Sequence, residues 1–124
     1  MRAITLYMHI HQPWRFRKYS VFDVGNNSNY WYDQDYYSKQ SNKRIFDKVT
    51  ASSYIPTLNL LEQKMRQYKD FKLSFSITGT WLEQATEWQP QLVEQIRRMA
   101  QTGQLEILAE TYYHSLAFFY NRDE

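Results

Sequence analysis

The run from Met1 to Pro13, MRAITLYMHIHQP, alternates along its length. Ile4, Leu6, Met8 and Ile10 fall on one side of a strand with a period of two, and Thr5, Tyr7, His9 and His11 fall on the other. One face asks for a core, and the other ends in two imidazoles. Pro13 has no backbone N–H and drives Gln12 toward an extended conformation, so regular sheet pairing is expected to stop there. A half-apolar strand that closes on histidines places a candidate site at its C-terminal end.

Two further runs share this pattern. In FKLSFSIT, residues 71–78, Phe71, Leu73, Phe75 and Ile77 oppose Lys72, Ser74, Ser76 and Thr78. In LEILAE, residues 105–110, Leu105, Ile107 and Ala109 oppose Glu106, Leu108 and Glu110; Leu, Glu and Ala also suit helices, but the preceding Thr102-Gly103 supplies a helix stop and favours a strand. Between the first two runs, Pro56 to Tyr68 carries Leu58, Leu61, Met65 and Tyr68 at helical spacing, with Pro56 in the first turn. Between the second and third, Gln89 to Gln101 places Leu92, Ile96 and Met99 on one stripe behind Pro90, and Thr80 with Glu83 fits a capping box for a short helix before it.

Strands separated by helices imply parallel pairing through crossovers, an α/β architecture. A doubly wound sheet packs helices on both faces, whereas the polar halves of these strands suit the interior of a barrel mouth. A closed barrel of this kind takes about 250 residues, so the predicted fold is the N-terminal part of a barrel: about three parallel strands with crossover helices and a long loop after the first strand. Residues 1–124 then form an incomplete segment of one catalytic barrel with no second domain. The stretch from Trp14 to Tyr54 is that loop, with a helical turn or two around Lys43 to Ala51; loops this long are commonly functional or disordered.

Composition narrows the function. Aromatic residues at 18% point to a packed core, and 15 basic against 13 acidic side chains, spread along the chain, give no electrostatic footprint for nucleic acid or an anionic membrane. Without cysteine, thiolate catalysis, disulfides and zinc-thiolate sites are excluded. No stretch approaches the roughly 20 apolar residues of a membrane span, and the N-terminus lacks the pattern of a signal peptide, so a cytoplasmic location is expected.

The candidate chemistry lies in three groups. His9 and His11 share a strand face and could ligate a metal, but His114, Glu106 and Glu110 complete no compact metal motif; otherwise His9 hydrogen-bonds within the sheet, leaving His11 and Gln12 for a polar ligand. Glu106 and Glu110 invite a two-carboxylate glycosidase reading. Four strand residues separate their Cα atoms by roughly 13 Å, against carboxyl separations of about 5–9.5 Å in such enzymes, so at most one orients substrate. The plainer role for Glu110 is a hydrogen bond to residues 111–113. Finally, Trp14, Tyr30, Trp31, Tyr32, Tyr36 and Tyr37 mix stacking rings with Asn, Gln and Asp, as sugar recognition requires; the alternative is that they pack the loop onto the body.

Together, His11-Gln12-Pro13 at the end of the first strand, Phe75 to Gly79 in the middle, and then Gly103 to Leu108 and Ala109 to Leu116 resemble glycoside hydrolase family 57 over essentially the whole chain. The family comprises α-amylases, 4-α-glucanotransferases and branching enzymes, and the likeness is greatest to its α-amylase branch. The resemblance implies a (β/α)7 barrel, a retaining mechanism, α-glucan or maltooligosaccharide substrates and no obligatory metal or other cofactor. It also implies that His11 and Glu106 match substrate-site residues, joined by His9, Gln12, Trp14, Trp31 and Glu110 as candidate contacts. The nucleophile Glu and acid/base Asp of the family fall in later motifs, so no catalytic residue is assigned in this chain, which is expected to need the remainder of the barrel for activity. Two other readings stay open: a non-catalytic carbohydrate-binding remnant, and a fragment of a metal-dependent amidohydrolase-type barrel.

Overall fold

In the computed structural model, residues 4–15, 21–23 and 36–120 are described. Three parallel strands form one sheet in the order β1 (Tyr7–Ile10), β2 (Leu73–Ile77), β3 (Leu105–Leu108). The helices are α1 (Tyr36–Val49), α2 (Ile55–Gln67), α3 (Gly79–Trp88) and α4 (Pro90–Gln101). Each strand is thus reached from the previous one through helices, as parallel pairing demands. In β2, Ser76 of the polar side is buried and Ile77 is only half-buried, but Leu73 and Phe75 are buried in the helix-covered face as the alternation predicts. Ile10 and Leu105 join them there, together with Phe46, Leu58, Leu61, Met65, Trp81, Ala85, Leu92, Ile96 and Met99 from the helices. On the other face Tyr7, His9, Glu106 and Leu108 are exposed.

β1 is shorter than the alternation of residues 1–13 predicts. It pairs with the five-residue β2 from Tyr7 opposite Ser74 to Ile10 opposite Ile77, and the ladder stops where its partner stops. Ile4, expected on the apolar side, precedes the strand and is 97% exposed.

The expected helical turn or two near Lys43 grows into a helical rod. α1 runs directly into a π-helical turn, Thr50–Tyr54, and that into α2. Ile55 N–H donates to the Thr50 carbonyl, a five-residue step. Pro56 explains the widening: it lacks an N–H, and its ring would collide with the carbonyl four residues earlier in a regular helix. Helix α2 otherwise falls within a residue of its predicted bounds, as does α4.

The cap of α3 is Thr78, two residues before the predicted capping box. Thr78 follows β2 with extended backbone, and its Oγ1 accepts from Trp81 N–H at 3.4 Å. Glu83 instead accepts from Trp14 Nε1 at 3.0 Å. Between α4 and β3 the chain turns at Gly103, whose φ of 73° lies in the left-handed region that glycine adopts without cost.

Candidate functional site

The strand register assembles the polar face row by row. Tyr7, Ser74 and Glu106 form one row, and His9, Ser76 and Leu108 the next. One step further, beyond the paired residues, His11 Nδ1 lies 3.0 Å from Thr78 Oγ1. Glu110 follows β3 at the same level, and the tight turn after it brings His114 back over the strand ends. His114 N–H donates to the Thr111 carbonyl, and its φ of 54° is left-handed, unusual for a residue with a side chain.

All three histidines of the chain meet here. Ring centroids are 4.5 Å apart for His9 and His114, 5.0 Å for His11 and His114, and 5.9 Å for His9 and His11. Glu110 stands among them, with Oε2 3.3 Å from His9 Nδ1 and Oε1 3.1 Å from His114 Nδ1. Below it the buried Ser76 hydroxyl lies 2.7 Å from His9 Nδ1 and 2.6 Å from the Tyr7 hydroxyl.

The electrostatics follow from this crowding. Hydrogen bonds from His114 and then Ser76 hold the Glu110 carboxyl below its ordinary value, so it stays anionic. The pKa of His11 is lowered as well, which for a base favours the neutral form: burial, and then the neighbouring His114 and His9, disfavour its protonated form. The cluster therefore presents one carboxylate and a set of imidazole nitrogens, donors and acceptors suited to a polyhydroxylated ligand. Among the described residues, His9, Glu110 and His114 are also the group whose donor atoms are close enough to hold a metal ion.

The segment after β1 is fastened beside this cluster. Gln12 is buried; its backbone carbonyl accepts from Gln84 Nε2 at 2.8 Å and its side-chain Oε1 accepts from Arg15 Nη2 at 3.2 Å. Asn42 bonds both the N–H and the carbonyl of Arg15. Trp14 packs edge-on to Trp88 with centroids 5.5 Å apart, extending an aromatic chain through Phe46, Trp81 and Tyr54.

The model of the family described as "Glycosyl hydrolase family 57" matches residues 5–124. The chain belongs to glycosyl hydrolase family 57. A curated protein of Methanocaldococcus jannaschii, described as "Putative alpha-amylase", is 35% identical over 121 residues. That match covers 98% of this chain and 25% of the relative, so the family 57 chain described here spans a quarter of the length of that protein. No solved structure matches it.

Within this family 57 chain, the structure brings His9, His11 and Glu110 together. Gln12 and Trp14 lie alongside, engaged with the helices. Glu106 shares the polar face but sits one row behind His9 and Ser76 and two behind Glu110, in register with Ser74. Trp31 lies outside the described residues. The pattern of residues did not single out Tyr7, Ser76 or Thr78 as site components, although all three stand on the polar side of the predicted strands. His114 was visible only as a third imidazole at a spacing that fits no motif.

No helix among the described residues is long and apolar enough to cross a membrane.

Proposed function

We propose that residues 1–124 are the N-terminal segment of the catalytic (β/α)7 barrel of a retaining glycoside hydrolase acting on α-glucans. The observation that carries this reading is the family 57 match across residues 5–124. A polar sheet face opposite the apolar cluster supports it, since that face is the one a barrel would turn inward.

In this reading His11 and Glu106 bind the glucan, with His9, Gln12, Trp14, Trp31 and Glu110 contributing contacts. The carboxylates that perform displacement lie in later motifs, and hydrolysis awaits them. Two carboxyl groups in a retaining site stand about 5–5.5 Å apart, whereas four residues of extended chain would put the Cα atoms of Glu106 and Glu110 roughly 13 Å apart.

The test is direct. Purified 1–124 incubated with maltooligosaccharide is expected to release no reducing sugar, while the sugar perturbs tryptophan fluorescence in the wild-type chain and not in His11→Ala. Release of reducing sugar by this chain overturns the division of labour; a fluorescence response unchanged in His11→Ala overturns the assignment of that histidine.

A further inference from the structure

We propose that His9, Glu110 and His114 form a site for one divalent cation of the zinc class. The proposal goes beyond the α-glucan reading and departs from the metal-free site implied by the family resemblance. It rests on geometry alone. The donor atoms of the three side chains lie within 4.8 Å of one another. The two Nδ1 atoms flank opposite oxygens of one carboxylate, at 3.3 and 3.1 Å. Ligands bonded to zinc at about 2.0–2.1 Å in a tetrahedron lie about 3.3 Å from one another, and each imidazole nitrogen already stands at about that distance from one oxygen of the carboxylate.

The donor chemistry selects the class of cation. Two imidazoles and a carboxylate are the protein ligands of zinc sites that keep a fourth position for water or a substrate oxygen. Calcium and magnesium, which take oxygen ligands, are disfavoured by the nitrogen pair.

Three features build the site beyond the contact of ionic groups. Ser76, buried to 2% exposure, holds His9 and Glu110 in place from below; its hydroxyl stands 2.7 Å from His9 Nδ1 and gives way there when that nitrogen takes a cation. His114 occupies its place at a backbone φ of 54°, a conformation that costs free energy for a side-chain-bearing residue and that aims its ring at Glu110. His11, whose Nδ1 is engaged by Thr78, stands next to the set, with its ring centroid 5.0 Å from that of His114.

The experiment uses the 124-residue chain after dialysis against chelator. Calorimetric titration with Zn2+ is expected to give one ion per chain, and Co2+ in its place is expected to give visible d–d absorption of a low-coordinate ion. Glu110→Gln and His114→Asn are each expected to weaken Zn2+ binding at least about a hundredfold; asparagine tolerates the left-handed backbone and so preserves the turn. Glu94→Gln, on the exposed side of α4, is expected to bind as wild type. Far-UV circular dichroism establishes that each variant is folded. Absence of stoichiometric Zn2+ binding to the wild-type chain overturns the proposal, as does unchanged affinity in folded Glu110→Gln. Because maltooligosaccharide binding is read separately by fluorescence, failure of the metal site and failure of the glucan reading are distinguishable.

Discussion

Ser76 Oγ stands 2.7 Å from Nδ1 of His9, a residue 67 positions earlier in the chain, because β1 and β2 pair in parallel with those two residues in register. The same hydroxyl is 2.6 Å from the Tyr7 hydroxyl and helps to hold Glu110 anionic. One small side chain in the middle strand thus sets the positions of groups from both neighbouring strands.

Ser76→Ala removes that shared partner without creating a large void. Loss of one net hydrogen bond predicts a stability decrease of about 1 kcal/mol, measured as a lower urea midpoint at unchanged slope. Glu110 then loses one of the bonds that depress its pKa, so its carboxyl should titrate at higher pH than in the wild type. NMR titration of the Glu110 side chain checks this; an unmoved titration would remove Ser76 from the support of the site.

Gly79 is required by the close approach of Tyr112. A Cβ at that position would lie 2.1 Å from Tyr112 Cδ2, deep within the ring's contact radius. Gly79→Ala is expected to cost about 1–3 kcal/mol by overpacking and to dislodge the turn that carries His114, since Thr80 N–H donates to the Tyr112 carbonyl. Tyr112→Ala should recover most of that loss in a double-mutant cycle; purely additive effects would mean the two positions do not collide.

Acid stability depends on Glu62, which accepts from Gln95 Nε2 and Arg66 Nη2. The bond from Gln95, and after it that from Arg66, holds the carboxyl below its ordinary value of 4.5. The folded-state pKa is lower than the unfolded one, so the contribution is fully present above the unfolded value and disappears as pH falls through the folded value. Glu62→Gln is expected to flatten the decline of the urea midpoint below about pH 4.5 and to lower the midpoint at neutral pH. A parallel acid profile in wild type and variant would contradict the assignment.

Phe75 is the apolar counterpart of Ser76 on the opposite face of β2, 1% exposed among the helices. Phe75→Ala leaves a cavity at the centre of the core and predicts a loss of about 3–5 kcal/mol. Against native stabilities of about 5–15 kcal/mol, that takes a large part of the total. Thermal denaturation followed by circular dichroism measures it.

Much of the fold was legible because its signals are local. The alternation of Leu73, Ser74, Phe75 and Ser76 needs no partner to be recognised, and the stripe of Leu92, Ile96 and Met99 marks its helix in the same way. The misread elements are those in which a distant group takes over a local one. Glu83 fits a capping box with Thr80, but Trp14 claims its carboxylate and Thr78 caps the helix instead. Pro56 reads as a helix start, yet a π turn lets the chain carry helix straight through to it.

By itself the sequence determined the α/β order of elements, the apolar and polar sides of β1, and the resemblance to family 57, all of which depend on residues near one another or on motifs in linear order; in β3 the expected apolar Ile107 is 47% exposed. Only the tertiary structure decided that the chain's three histidines gather at one place and that two of them, His9 and His114, share the Glu110 carboxylate. That meeting depends on the register of β1 against β2, on the placement of Glu110 after β3, and on the left-handed turn at His114. Each is a long-range packing outcome, invisible to any spacing rule because the groups it unites lie at opposite ends of the chain.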